Sequence, residues 1–228
     1  MRIALIGNPN SGKTTLFNEL TGANQHVGNW PGVTVEKKEG AIRALYGAGD
    51  IVDLPGIYSL SPFSLEEIVS RDYLIDERPD VVIDIVDATN LERNLYLTIQ
   101  LIELNVPLVI ALNMMDEVEQ DGHRIDTERL THDLGVPVIP ISAAKKTGLR
   151  ELMAALDRAR PPKRHELPNP PLERLIALTE GLLGDHLTRE HHLGDALAEG
   201  YPLHWTAIKV LESDDLVLRH LTLDAESS

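Results

Sequence analysis

Eight residues near the N-terminus, Gly7 to Thr14, have the spacing G-x-x-x-x-G-K-[ST] of a phosphate-binding loop. The apolar run before them predicts a buried strand, and the residues after them predict a helix. Glycines let the backbone wrap around an anion, so that loop N–H groups and the positive end of the helix face a phosphate. Lys13 can reach the outer phosphates. We therefore predict a nucleoside triphosphate site with loop contacts from Asn8, Pro9, Asn10, Ser11, Gly12, Lys13, Thr14 and Thr15.

A second motif, Asn113-Met114-Met115-Asp116, directly follows a predicted buried strand and indicates which base is bound. Ligands bind at the carboxyl ends of strands in open α/β sheets. The Asp116 carboxylate can accept both N1–H and the 2-amino group of guanine, a pair that adenine lacks. Asn113 can contact the other edge of the base and brace the loop. The segment Ser142-Ala143-Ala144 follows the next strand, so a backbone N–H near Ala143 could donate to the guanine O6.

The motif Asp53-Leu54-Pro55-Gly56 ends another strand and matches D-x-x-G. Asp53 can hold Mg²⁺ through water, and the Gly56 N–H can sense the γ-phosphate. Upstream, Thr34 is well placed to join Thr14 as an Mg²⁺ ligand, and it follows Gly32 and Val33, which we also predict to contact the nucleotide. The γ-phosphate would order these loops, and hydrolysis would release them.

The residue after D-x-x-G is Ile57, whereas many small GTPases have a water-positioning Gln there. Ile57 cannot orient water, so hydrolysis is either slow or assisted by another group. The Asn10 side-chain oxygen could ligate a monovalent cation beside the β- and γ-phosphates; the alternative is that Asn10 only braces its loop. The predicted catalytic residues are Asn10, Lys13, Thr34 and Gly56.

The elements around these motifs alternate between strands and helices. Apolar runs predict strands at residues 2–7, 50–54, 81–87, 108–112 and 137–141, and helical spacing predicts helices at 13–21, 65–75, 91–104, 127–134 and 149–158. This alternation is typical of an α/β fold, a doubly wound, largely parallel sheet of the P-loop GTPase type with helices on both faces. Residues 23–31 are predicted to be a mobile loop, and 33–46 an antiparallel strand at a sheet edge.

The composition changes where prolines become frequent. We predict a GTP-binding domain at residues 1–160, a Pro-rich linker at 161–171 and a small all-helical C-terminal domain at 172–228. The acidic and histidine-rich stretch 186–192 invites a metal-site interpretation, but its spacing fits no standard motif, and a solvated segment is the favoured interpretation.

The 228 residues include no cysteine and carry a formal charge of −15. The charge argues against a nucleic-acid partner, and the absence of cysteine excludes disulfides and thiolate chemistry. The chain enters its first strand at once and has no apolar stretch of membrane-spanning length, so we expect a soluble protein of a reducing compartment without a signal peptide.

The motifs, in this order, are similar to those of translation-factor-like GTPases. The segment from Gly28 to Gly40, together with 53–60, resembles the cytosolic N-terminal G domain of the bacterial ferrous-iron transporter FeoB, over residues 2 to about 158. The resemblance implies GTP hydrolysis coupled to Fe²⁺ transport across the inner membrane, K⁺ activation through Asn10, and a GDI-like helical domain after the linker. It also implies a position on the cytoplasmic side of that membrane and a transmembrane transporter region, absent from this chain, as partner. A homo-oligomer is a further possible assembly.

Three functions remain open at this point. The chain is a GTPase that times or drives a transporter, a binding module whose nucleotide state gates a partner, or a ribosome-assembly GTPase of the same fold. The acidic charge and the lack of a basic RNA-binding segment weigh against the third.

Overall fold

The computed structural model describes residues 1–61, 63–162, 169–189 and 201–226. The chain divides into two compact units, Met1–Lys163 and Arg164–Ser228. The domain and linker boundaries proposed above remain predictions.

The first unit contains a seven-stranded sheet in the order β2-β3-β4-β1-β5-β6-β7. Strands β4, β1, β5, β6 and β7 are mutually parallel, and β3 pairs antiparallel with both β2 and β4. The largely parallel α/β sheet is therefore confirmed. The strands are β1 Arg2–Gly7, β2 Gln25–Asn29, β3 Glu36–Ala41, β4 Asp50–Asp53, β5 Val81–Asp87, β6 Leu108–Asn113 and β7 Val138–Pro140.

Two predictions about the sheet edge are wrong. Residues 25–29, predicted to be part of a mobile loop, form strand β2, and the edge position belongs to β2 rather than to the strand within 33–46. The two strands form a hairpin in which Gln25 pairs with Gly40 and Asn29 with Glu36. Most of β2 is exposed, so its sequence lacks the alternation of a half-buried strand.

Helices cover both faces of the sheet, as predicted. One face packs against α1 and α6 in a core that includes Leu5, Leu16 and Ile83, and α3 packs on β5 and β6. A π-helical turn, Tyr73–Glu77, follows α2. The helices of this unit are α1 Lys13–Thr21, α2 Leu65–Asp72, α3 Leu91–Glu103, α4 Met115–Gln120, α5 Thr127–Leu134 and α6 Leu149–Leu156; α4 was not predicted.

The described part of the second unit is helical: α7 Pro170–Arg189, α8 Leu203–Leu211 and α9 Asp215–Glu226. Helix α7 begins at Pro170 because proline is tolerated in a first helical turn, where its missing N–H has no partner to lose. Helices α7 and α8 are joined by His204 Nδ1 and Glu180 Oε1, 2.6 Å apart. Residues 190–192 of the histidine-rich stretch lie outside the described residues.

A buried carboxyl group, Asp84, lies in β5 on the face covered by α3. It is 1% exposed, and the Thr98 hydroxyl donates a hydrogen bond to its Oδ2 at 2.5 Å. Burial raises the pKa of Asp84 to about 7, although the Thr98 hydrogen bond acts in the opposite direction. The ionised form is thus disfavoured in the folded protein.

This pKa predicts a pH-dependent stability that Asp84→Asn should remove. In the wild type, the free energy of unfolding should fall as the pH rises from the ordinary carboxyl pKa of 3.8 to about 7, since the unfolded chain ionises first. At pH 8 the neutral variant, which still accepts from Thr98, should gain on the order of 3–4 kcal/mol. Urea unfolding of both proteins at pH 5 and pH 8 measures this. An equal stability difference at the two pH values would contradict the assignment.

Candidate functional site

The phosphate loop (Gly7–Thr14) joins the end of β1 to the start of α1. Gly12 has φ 91°, a left-handed conformation that favours glycine. A Cβ atom at Gly12 would lie 2.2 Å from Asn113 Nδ2, so a side chain there would displace Asn113. The loop is closed by a hydrogen bond from the Ser11 N–H to the Asn8 carbonyl at 3.2 Å.

Side chains of the phosphate loop divide into buried and exposed groups. Asn8 and Ser11 are buried, whereas Asn10, Thr14 and Thr15 are exposed and Pro9 is intermediate. Asn10 has φ 67°, a conformation that Asn adopts more readily than most residues. The exposed amide and hydroxyl groups are therefore available to a ligand, whereas the buried Asn8 side chain donates to the Arg93 carbonyl.

Lys13 and Asp53 form an ion pair between Nζ and Oδ1, and both side chains are largely buried. Burial raises the pKa of Asp53, and the charge and hydrogen bond of Lys13 only partly offset this. The D-x-x-G motif is joined to β1 by hydrogen bonds from the Leu54 N–H to the Leu5 carbonyl (2.9 Å) and from the Ile57 N–H to the Gly7 carbonyl (3.2 Å). The structure thus brings Lys13, Asp53 and the phosphate loop together.

Gly56 lies against the phosphate loop, since a Cβ atom built on it would be 3.4 Å from Pro9 Cα. The Ile57 side chain is 2% exposed and belongs to the core. It therefore cannot act on a water molecule, in agreement with the sequence-based interpretation.

Asn113 connects the two loops that carry the proposed phosphate and base contacts. Its Nδ2 donates to the Ser11 carbonyl at 2.8 Å, and its Oδ1 accepts from the Ala143 N–H at 2.9 Å. The predicted bracing role of Asn113 is thus present in the structure. The Ala143 N–H is therefore engaged within the protein, and the next residue, Ala144, is exposed.

Asp116 lies in the first turn of α4, two residues after Met114, which has φ 63° and caps that helix. A hydrogen bond from Ser142 is the largest effect lowering the pKa of Asp116, and Lys145 contributes further. The Lys145 Nζ lies 3.1 Å from Asp116 Oδ2. The sequence analysis missed Lys145; its position three residues after Ser142 was the available signal. The loop that carries Ser142 and Lys145 is closed by backbone pairing of Ser142 with Thr147.

The tip of the β2–β3 hairpin carries Gly32, Val33 and Thr34. Thr34 is exposed, and its side chain has no hydrogen-bond partner among the described residues. Trp30 at the base of this tip is 9% exposed and packs edge-to-face on Tyr73, with ring centroids 5.3 Å apart. This contact fixes Trp30 in place at the base of the tip. The structure therefore joins all predicted motifs by direct contacts except the hairpin tip.

A family model described as ferrous iron transport protein B matches residues 1–156. The chain belongs to the FeoB family. It is 45% identical over 221 residues to the Fe(2+) transporter FeoB of Salmonella typhimurium, an alignment that covers 94% of this chain and 27% of that protein. The FeoB transporter of Escherichia coli K12 is likewise 45% identical, with the same coverage. The chain thus spans about a quarter of the length of these curated FeoB relatives.

Solved FeoB structures share the fold. A GDP-bound mutant of the S. thermophilus protein has a TM-score of 0.85 at 45% identity, covering 96% of this chain and 82% of that one. The cytosolic domain of T. maritima FeoB in its GMPPNP form has a TM-score of 0.86 at 35% identity, covering 98% and 86%. The cytosolic domain of L. pneumophila FeoB has a TM-score of 0.81 at 40% identity, covering 99% and 97%. Within the described residues of our chain, no helix is long and apolar enough to cross a bilayer.

Proposed function

We propose that this FeoB chain binds GTP and hydrolyses it to GDP and phosphate with Mg²⁺. The observation that carries the proposal is the pair of hydrogen bonds made by Asn113, since they join the phosphate loop to the loop of the base contacts. The GDP and GMPPNP forms of related FeoB structures support it. GTP turnover and GTP and ATP affinities, measured on this chain, test it; equal affinity for both nucleotides would overturn the guanine assignment.

The phosphate side of the site fits a hard cation. Mg²⁺ prefers oxygen ligands, and the site offers the Thr14 hydroxyl and the Asp53 carboxylate, with Thr34 on the hairpin tip as a third oxygen. Lys13, paired with Asp53 in the structure, would turn to the β- and γ-phosphates, while backbone N–H groups of the phosphate loop hold the phosphate oxygens. Mg²⁺ held by these residues would supply positive charge that offsets the negative charge developing on the phosphate oxygens.

The base side selects guanine through Asp116, whose carboxylate accepts from N1–H and the 2-amino group. The lowered pKa of Asp116 keeps it ionised and able to accept both bonds. Asn113 and Met114 flank the base, and Ser142 orients the Asp116 carboxylate. The guanine O6 would accept from the Ala144 N–H, the neighbour of the engaged Ala143.

Hydrolysis needs positive charge near the β- and γ-phosphates, and Ile57 provides no help with water. The exposed amide oxygen of Asn10 suits a monovalent cation such as K⁺, which would act where other GTPases use an arginine. Gly56 would donate its backbone N–H to the γ-phosphate.

Thr34→Ala should slow turnover far more than it weakens GDP binding. The exposed hairpin tip leaves Thr34 free of the phosphate loop, so its hydroxyl meets Mg²⁺ only when the γ-phosphate draws the tip in. We expect a loss of tenfold or more, about 1.4 kcal/mol, in kcat and a GDP affinity within about twofold of wild type. Single-turnover kinetics and GDP titration measure the two quantities. Parallel losses in both would show a structural role instead.

In the whole protein, GTP hydrolysis would be coupled to Fe²⁺ transport across the bacterial inner membrane, with this chain on the cytoplasmic side and the transmembrane region as partner. The names and lengths of the FeoB relatives support this.

A second candidate is a regulatory module whose nucleotide state gates the transporter while turnover is incidental. Turnover in KCl against NaCl separates the two, since only a catalytic role requires acceleration by K⁺. Sedimentation of the GDP and GTP forms tests self-association.

A further inference from the structure

Helix α3 contacts the segment that follows the D-x-x-G motif at two points. The Leu60 N–H donates to Gln100 Oε1 at 2.5 Å, and the Arg93 guanidinium lies over the Tyr58 ring, 4.2 Å from its centroid. Positions 93 and 100 are two helical turns apart and therefore lie on one side of α3. A single helix thus holds both Tyr58 and Leu60.

The two contacts differ in burial. Leu60 is fully buried and Gln100 is 5% exposed, whereas Tyr58 is 41% exposed and Arg93 is also exposed. Breaking a buried hydrogen bond leaves unpaired groups and is costly, while a cation–π contact in solvent is weak. The hydrogen bond to Gln100 therefore holds Leu60 firmly, whereas the contact between Tyr58 and Arg93 can be released.

Arg93 is also joined to the phosphate loop. The Asn8 side-chain amide donates to the Arg93 carbonyl at 3.5 Å, and the Ile57 N–H is bonded to the Gly7 carbonyl. The beginning of α3 is fixed by Asn94, which accepts from the Asp87 N–H and donates to the Asn90 carbonyl. Arg93 thus lies between the phosphate loop and the residue next to Ile57.

We propose that Arg93 is a positioning residue for hydrolysis, acting through Tyr58. By stacking on the Tyr58 ring, it holds residues 56–58 against the phosphate loop, so that the Gly56 N–H faces the γ-phosphate. This matters here because Ile57 is buried and gives no side chain to the reaction. The inference rests on the proposed GTP hydrolysis, and Arg93 itself contacts neither the nucleotide nor the cation in it.

The test is a double-mutant cycle on the full chain. Arg93→Met and Tyr58→Leu should each lower kcat about three- to fivefold, with GDP affinity unchanged, and the double variant should lose no more than either single variant. Tyr58→Phe keeps the ring and should recover most of the turnover lost in Tyr58→Leu. Arg129→Met is the matched control, because Arg129 is an exposed arginine on α5, 78% exposed, without contact to this segment.

Amide exchange separates this proposal from the proposed function. In the GDP-bound protein, Arg93→Met should speed exchange of the Ile57 N–H about three- to fivefold, whereas the Leu60 N–H, held by Gln100, should keep its protection. Additive losses of kcat, equal losses of GDP affinity, or unchanged Ile57 exchange would overturn the positioning role. Absence of GTP turnover in the wild type would instead overturn the proposed function, and the exchange measurement would still show whether Arg93 holds residues 56–58 against the phosphate loop.

Discussion

Asp116→Asn is expected to reverse the nucleotide preference of this chain from GTP to XTP. An Asn amide cannot accept from both N1–H and the 2-amino group of guanine, but it can donate to the 2-carbonyl that xanthine has in place of that amino group. A site built for particular hydrogen bonds rejects an analogue that leaves its groups unpaired. We expect GTP affinity to fall about a hundredfold or more, with XTP binding becoming tighter than GTP binding. Titration with both nucleotides measures the ratio.

The control for this variant is Asp121→Asn, which removes one carboxylate from the other end of the same helix. Asp121 is exposed and is the C-terminal cap of α4, so the net charge changes equally while the base contacts remain. An unchanged GTP-to-XTP ratio in Asp116→Asn would refute guanine recognition by this carboxylate.

Asn10→Ala is expected to abolish K⁺ activation of GTP turnover while nucleotide affinity remains nearly unchanged. A cation held by the Asn10 amide would stabilise charge that develops between the β- and γ-phosphates mainly in the transition state, so its loss lowers kcat rather than binding. One such charge is worth about 3 kcal/mol, or on the order of a hundredfold in rate. Turnover in KCl and in NaCl at equal ionic strength measures the effect.

The backbone at this position requires a second variant. Asn10 has φ 67°, and alanine is strained in this conformation whereas glycine is not. Asn10→Gly therefore removes the amide without the strain, and both variants should lose K⁺ activation to the same extent. If the wild type shows no preference for K⁺, or if Asn10→Gly retains it, the cation mechanism is wrong.

The buried part of the fold was predictable because parallel strands covered on both faces appear as continuous apolar runs. β5 and β6 are examples, with six residues in each fully buried. The β2–β3 hairpin was only partly predicted because β2 is largely exposed and β3 is largely charged. In β3, Lys37 pairs with Glu39 and Lys38 with Glu36, so both faces of the strand are polar and no alternation marks it.

Motif spacing predicted the residues of the candidate site because each motif lies at the end of a strand, and because the left-handed backbone at Gly12 in the phosphate loop favours glycine. Side-chain contacts between segments that are distant in the sequence were harder to predict. The pairing of Lys145 with Asp116, and of Arg93 with Tyr58, depends on side chains that distant segments bring together. Helix α4 escaped prediction because it is only six residues long and its cap is Met114 in a left-handed conformation, which the sequence does not signal.

The two hydrogen bonds of Asn113 also determine when, during synthesis of the chain, the nucleotide site can be completed. One bond links Asn113 to Ser11, 102 positions earlier in the chain, and the other links Asn113 to Ala143, 30 positions later. The phosphate loop leaves the ribosome first, but it cannot be braced until β6 and the loop after β7 have followed. Domains generally fold as units, and contacts of such sequence separation form late. A nascent chain that stops before Ala143 would therefore lack a complete nucleotide site, and GTP can stabilise this unit only once nearly all of it has been made.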